Sequence, residues 1–205
     1  MWRIAKHPSS IQTVKKQNII MNGKFNHGFT LIELVVTMAI AAILVSIAVP
    51  NYRMFVLNSR ISGHSNDFLS ALQLARSEAV KRGTLVSVCK SANNSTCVTT
   101  GTWAQGWLVF IDGNTAGTLD GSGTTADTLI RAFPPLSGSS TLVGSTNVAN
   151  FVSFQANGMT SLAAGNNSEI VSLCPPSPAA VAGRDIQISA SGRARVQNPP
   201  ATACP

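Results

Sequence analysis

Residues 29–50 read FTLIELVVTMAIAAILVSIAVP. Wound as a helix at 1.5 Å per residue they span about 33 Å, close to the hydrocarbon thickness of a bilayer. Lys15, Lys16 and Lys24 precede the run. Cationic flanks stay on the cytoplasmic side, so the rest of the chain is expected outside. One residue is out of place. Glu33 puts a carboxylate into the apolar run, at about 2.5–3.5 kcal/mol near a bilayer centre and less near its edge. Such an acid either reaches the headgroups or faces a partner, and hydrophobicity alone leaves both open.

Outward from this run, the charge is lopsided. The 205 residues carry a net +7, but Arg3, Lys6, Lys15, Lys16 and Lys24 all fall in residues 1–28, which hold no acid. Without that segment ten of the 15 cationic residues remain against eight acids, a net charge of +2. Most of the basic balance therefore belongs to targeting, and any surface for an anionic partner has to be local.

Four cysteines, Cys89, Cys97, Cys174 and Cys204, form no C-x-x-C pair and have no histidine beside them. That excludes the usual zinc spacings. In an exported chain an even number points to disulfides. Three pairings are open; the shortest loops favour Cys89–Cys97 with Cys174–Cys204, each stabilising by about 2–4 kcal/mol in the loop-entropy account.

Residues 51–82 have helical spacing, with Phe55, Phe68, Leu69, Leu72, Ala75, Ala79 and Val80 as the apolar positions. Lys81, Arg82 and Gly83 supply cations and a stop at the C-terminal end. Beyond Gly83 the period changes. Residues 84–90, 107–112, 128–133, 150–155, 169–174 and 184–190 are short β-prone runs separated by Gly, Asn, Ser and Pro. The expected class is α+β, one long N-terminal helix packed on an antiparallel sheet domain. The stretch 113–127 is expected as a hairpin loop. Its acids, with Asp112 and Asn114, lack the spacing and the closing Glu of a calcium loop.

Gly28-Phe29-Thr30-Leu31-Ile32-Glu33 resembles the processing site of type IV prepilins and type II secretion pseudopilins. The resemblance implies a leader of residues 1–28 and a prepilin peptidase that cuts between Gly28 and Phe29 and methylates the new N-terminus. It also implies a transmembrane and filament-core helix over 29–50, kinked at Pro50, an amphipathic continuation over 51–82 and a β-rich domain over 83–205. Cleavage frees an amine at Phe29, which Glu33 of a neighbouring subunit would neutralise inside the apolar bundle, where a paired charge is tolerated and a lone one is not. Met21 offers a second start with the shorter leader MNGKFNHG. A secretory signal cut after Ala48 competes with this assignment, and Glu33 in the apolar run argues against it. The implied location is the inner membrane, crossed once with the C-terminal domain in the periplasm, and then the pilus at the cell surface among other pilins.

The run 106–112, GWLVFID, resembles the globular domain of the FimT/GspH group of minor pilins and pseudopilins. Near the C-terminus, Gly192-Arg193-Ala194-Arg195 resembles the G-R-x-R motif of FimT proteins, minor pilins implicated in DNA binding during natural transformation. In extended chain Arg193 and Arg195 share a face about 6.8 Å apart, a spacing that lets two guanidinium forks meet neighbouring phosphates. The resemblance implies that both contact DNA, non-specifically through its phosphate backbone, with Gly192 shaping the turn. Arg184 and Lys90 are added as helpers by charge alone. The competing expectation is a structural minor pilin or type II secretion pseudopilin, FimU/GspH-like, that primes or caps filament assembly, with the arginines as solvated residues of an edge strand.

Enzymatic chemistry is not expected. His7 and His27 lie in the leader, and His64, expected on a solvated helix face near Asp67, has no nucleophile with it. No phosphate-cradling glycine loop or cofactor fingerprint occurs, so no cofactor is expected.

Overall fold

The computed structural model describes residues 28–113, 116–121, 126–162, 167–177 and 181–197, with Pro200 and Cys204. Positions 1–27, in the expected leader, and Asn114 lie outside the described residues. The chain divides into two compact units, residues 1–44 and 45–205.

The first unit, over its described residues, is the start of helix α1 (Leu31–Arg82), and every one of these residues is exposed. Thr30 begins the helix: its hydroxyl accepts from the Glu33 amide at 3.3 Å and its carbonyl from the Leu34 amide at 3.1 Å. Thr30 and Glu33 have the spacing of a capping box, and an acid in the first turn suits the helix dipole. By length and composition α1 can cross a membrane. Pro50 lies inside it, where it removes one backbone hydrogen bond.

In the second unit α1 buries Ile61, His64, Ser65, Phe68, Ala71, Leu72, Ala75 and Ala79, a stripe at spacings of three and four. Small residues alternate with Phe68 and Leu72 on it and let strands approach closely. Three residues expected on that face are not in the buried stripe: Phe55 is 69% and Val80 54% exposed, and Leu69 is half-buried outside the core cluster. Gly83, at φ 66°, ends the helix by donating to Ala79 O at 2.9 Å.

Among the described residues eight strands follow, and their pairing is antiparallel throughout. The first sheet has the order β3-β2-β1-β5, from β1 (Val86–Lys90), β2 (Trp107–Ile111), β3 (Thr128–Phe133) and β5 (Phe151–Phe154). The second has the order β4-β6-β7-β8, from β4 (Thr141–Gly144), β6 (Ser168–Cys174), β7 (Arg184–Ser189) and β8 (Ala194–Gln197). One core joins the helix stripe to both sheets. Phe68 stands edge-on to Trp103 and Trp107, each with ring centroids 5.2 Å away, and Trp107 stacks on Phe133. A smaller cluster of Cys89, Leu108 and Phe110 covers the other face of the first sheet, so β1 is buried on both sides.

Six of the eight strands fall on the β-prone runs. β4 and β8 do not, because four residues with a glycine or with two polar side chains carry too little alternation to announce a strand. Two acids, Asp112 and Asp127, tie the described residues of the 113–127 stretch as acceptors. Asp112 accepts from the Ser87 hydroxyl at 2.6 Å and the Gly117 amide at 2.8 Å, and Asp127 from the amides of Gly113 and Asp120. His64 is buried, with Nε2 3.0 Å from Ser137 O, and not on the solvated face expected of it.

Candidate nucleic-acid interface

Among the described residues β8 is an edge strand, paired with β7 alone. Their hairpin turns through residues 189–193. The Gly192 amide donates to Ser189 O at 2.9 Å and the Ser189 amide to Arg193 O at 2.9 Å, with Gly192 at φ 78°. A left-handed glycine closing a three-residue hairpin loop adds a bulge that twists the following strand. Gly192 is buried. A Cβ on it would lie 1.8 Å from Gly158 O and 3.1 Å from Arg76 Nε. The missing side chain thus makes room for the protein's own backbone and sets the turn.

Past the turn, parity decides what each side chain meets. Ala194 and Val196 pack against the core, opposite Ile188 and Ile186 of β7. Arg193 and Arg195 therefore take the outward face, and both are exposed. Arg195 pairs directly with Gln187. Gln187 Oε1 accepts from Arg195 Nε at 2.7 Å and from Gln197 Nε2 at 3.1 Å, while its own Nε2 donates to Ser168 Oγ at 3.0 Å. This chain holds Arg195 extended and occupies one of its five donors, leaving the terminal pair of nitrogens for a ligand. Arg193 is steered from its backbone, whose amide donates to Ser189 Oγ at 3.2 Å. Among the described residues neither guanidinium has an acidic partner.

Between them lies a groove of about 420 Å3, lined by Arg193, Ala194 and Arg195 and, across the sheet, by Gln187, Ser189 and Ser168. Two cations over small neutral side chains can accept an extended polyanion, and nothing in the lining prefers one base to another.

The two helpers chosen by charge do not join this site. Lys90 is 3% exposed on β1 of the other sheet, and its ammonium donates to Thr99 O at 3.0 Å and Gly101 O at 2.9 Å. Burial pushes its pKa below the ordinary lysine value. It is a structural cation that closes the loop following β1. Arg184 opens β7 with the parity of the core residues Ile186 and Ile188, opposite to that of Gln187, so it is half-buried on the other face from Arg195. Lys81 and Arg82 are spoken for by Glu78, at 3.8 and 2.6 Å. The Arg82 hydrogen bond, helped by both charges, holds the Glu78 carboxyl below the usual carboxylate range.

Two disulfides are formed, Cys89–Cys97 and Cys174–Cys204. The second ties Cys204 to the end of β6 beside Gly183, so the chain beyond β8 is fastened to the same sheet. Two site residues escaped sequence reasoning, Gln187 and Arg76. Gln187 is invisible because its partner Arg195 is set by register. Arg76 left a faint signal, lying next to Ala75 and three residues before Ala79 on the border of the buried stripe.

At the other end of the chain, Glu33 is exposed and its carboxylate makes no hydrogen bond or ion pair among the described residues.

Residues 23–49 match the prokaryotic N-terminal methylation motif, and residues 64–192 match the family described as type II transport protein GspH. No curated protein sequence matches the chain. Two crystal structures of the type IV minor pilin FimU from Pseudomonas aeruginosa are similar in fold. The first shares 19% identity and covers 71% of this chain and 93% of the other, with a TM-score of 0.51. The second, in another crystal form, shares 20% identity over 69% and 93%, with a TM-score of 0.47. The fold is that of type IV pilins. The family match stops at Gly192, just before the arginine pair. Since that match takes in more than half of the residues, and the methylation motif heads the same chain, this protein is type IV pilin-like and belongs to the GspH family of type II transport proteins.

Proposed function

We propose that the protein is a minor type IV pilin that binds extracellular double-stranded DNA through Arg193 and Arg195 for uptake in natural transformation. A single observation carries the proposal: two exposed guanidiniums share one face of an edge strand over a neutral groove, with no acidic partner among the described residues. Pilin subunits assemble with one another, and here prepilin peptidase would cut after Gly28. The freed Phe29 amine of one subunit would then meet Glu33 of the next. That pairing fixes subunit register because either charge alone is costly in the apolar bundle. The domain after α1 would stand in the periplasm and then on the pilus.

Two phosphate contacts make a weak, sequence-independent binder with a dissociation constant of about 10⁻⁴ to 10⁻⁶ M. Such affinity suffices for a filament that pulls its cargo inward after contact. The test is the double substitution Arg193→Ala with Arg195→Ala, read by gel shift on the full chain in detergent and by transformation frequency. Both fall while pilus assembly persists. Undiminished DNA affinity in the double variant would end the proposal.

One observation favours a second reading, a structural subunit that primes or caps a filament. Gly192 is fully accounted for by its packing on Gly158, so the glycine of the motif needs no ligand. Under that reading the double variant binds DNA as the wild type does, and filament number changes when the whole subunit is removed.

A further inference from the structure

Three elements far apart in sequence meet beneath the arginine hairpin. The turn at residues 155–158 closes through the Gly158 amide on Gln155 O at 2.8 Å, with Gly158 at φ 77°. The hairpin tip ends in Gly192 at φ 78°. These two left-handed glycines lie tip to tip, so close that a Cβ on Gly192 would overlap Gly158 O. Arg76 of α1 grips both turns. Its Nε donates to Gly158 O at 3.1 Å and its Nη2 to Ser191 O at 3.3 Å. Thr160 adds a lateral tie, its amide donating to Ala190 O at 3.1 Å and its hydroxyl to Ser189 O at 2.9 Å.

A planar guanidinium suits this task. Its donors leave in fixed directions, so one side chain sets the spacing of two carbonyls, whereas an ammonium on a flexible stem cannot hold both in one geometry. The stem of Arg76 is half-buried against the stripe of α1, which is anchored by Ala75 and Ala79. The hairpin tip is thereby tied to the helix and not left to the edge strand's own pairing. Arg193 follows Gly192 directly, so any drift of the tip displaces the first guanidinium and, through the β7–β8 register, the second.

We infer that Arg76 is the positioning residue of the DNA-binding arginine pair, fixing the 189–193 turn to α1 so that Arg193 and Arg195 face the same phosphate strand. The inference rests on the DNA reading for its function, while the clamp itself is independent of DNA. Arg76 acts through the turn and does not touch the nucleic acid.

The experiment uses the full chain in detergent, a short fluorescein-labelled DNA duplex read by anisotropy, and amide hydrogen exchange without DNA. Arg76→Gln removes the fork and the charge. Arg76→Lys keeps the charge and the stem but loses the fork, and it stands in should Arg76→Gln not fold. Both are expected to weaken DNA binding by about tenfold, the scale of one or two net hydrogen bonds. Both also speed exchange at the Ser189 and Gly192 amides, while the amides of β1 and β2 keep their protection. Wild-type affinity in Arg76→Lys with loss in Arg76→Gln would make Arg76 a charge contact and overturn the positioning role. Wild-type affinity in both, with Arg193→Ala/Arg195→Ala impaired, overturns the inference and leaves the DNA reading standing. If that double variant binds DNA normally, the DNA reading fails, and unchanged exchange at Ser189 and Gly192 would remove the clamp as well.

Discussion

Replacing Gly192 by alanine tests whether the turn before the arginines is built by packing. Two penalties add. The residue sits at φ 78°, where a Cβ costs about 1–2 kcal/mol. That Cβ would also lie 1.8 Å from Gly158 O, so the two turns must separate by more than an ångström. Overpacking of this kind costs about 1–3 kcal/mol. The sum is about 2–5 kcal/mol, and at about 2–4 °C per kcal/mol for a domain of this size the melting temperature falls by about 4–20 °C. Buried Trp103 and Trp107 make tryptophan fluorescence a suitable monitor of thermal unfolding for the chain in detergent. Gly63→Ala is the internal control. Gly63 lies in α1 with open space where its Cβ would go, so alanine there stabilises by about 0.5–1 kcal/mol through helix propensity. A Gly192→Ala variant melting within a degree of the wild type would refute the packing argument.

Lys90→Ala is expected to leave DNA affinity unchanged. It lowers stability by about 1–3 kcal/mol in urea unfolding, because the carbonyls of Thr99 and Gly101 lose their donor. Burial depresses the Lys90 pKa in the fold, so the unfolded chain binds the proton more tightly. The lysine's own contribution to stability therefore improves as pH rises from that depressed value toward the unfolded value of 10.5, a gain absent from Lys90→Ala. Cys204→Ser opens a loop of sequence separation 30 and is expected to cost about 2–4 kcal/mol, with faster exchange in β7 and β8 than in β1 and β2. Mass spectrometry of the protein from its native membrane is expected to find a methylated N-terminus at Phe29; a mature chain beginning at Val49 would mean an ordinary secretory signal instead.

Much of the fold was legible because two physical signals are strong in this chain. An apolar run announces a helix long and apolar enough to cross a membrane, and the change from helical spacing to period two after Gly83 announces a sheet domain. The disulfide pairing followed from loop length. What stayed hidden depends on register and approach. β4 and β8 are too short for a pattern, and they become strands because β6 and β7 offer edges. Val80 has the spacing of the buried stripe yet stays exposed, with the turn at Gly158 beside it and not the core. At the candidate site, the outward parity of Arg193 and Arg195 could be read from alternation alone. The exclusion of Lys90 and Arg184 could not, because charge says nothing about which sheet or which face a residue joins. Gln187 and Arg76 were out of reach for the same reason, as their partners lie 8, 82 and 115 positions away.

The account turns on two guanidiniums meeting two phosphates, and the salt dependence of DNA binding counts them. Each phosphate contact contributes about 0.9 to the slope of log affinity against log salt on duplex DNA. Anisotropy titrations of wild type, each single alanine variant and the Arg193→Ala/Arg195→Ala protein should give slopes that flatten by about 0.9 per arginine removed. Loss of both then costs about a tenfold advantage over a fourfold range of salt. Identical slopes for the wild type and the double variant would contradict the account.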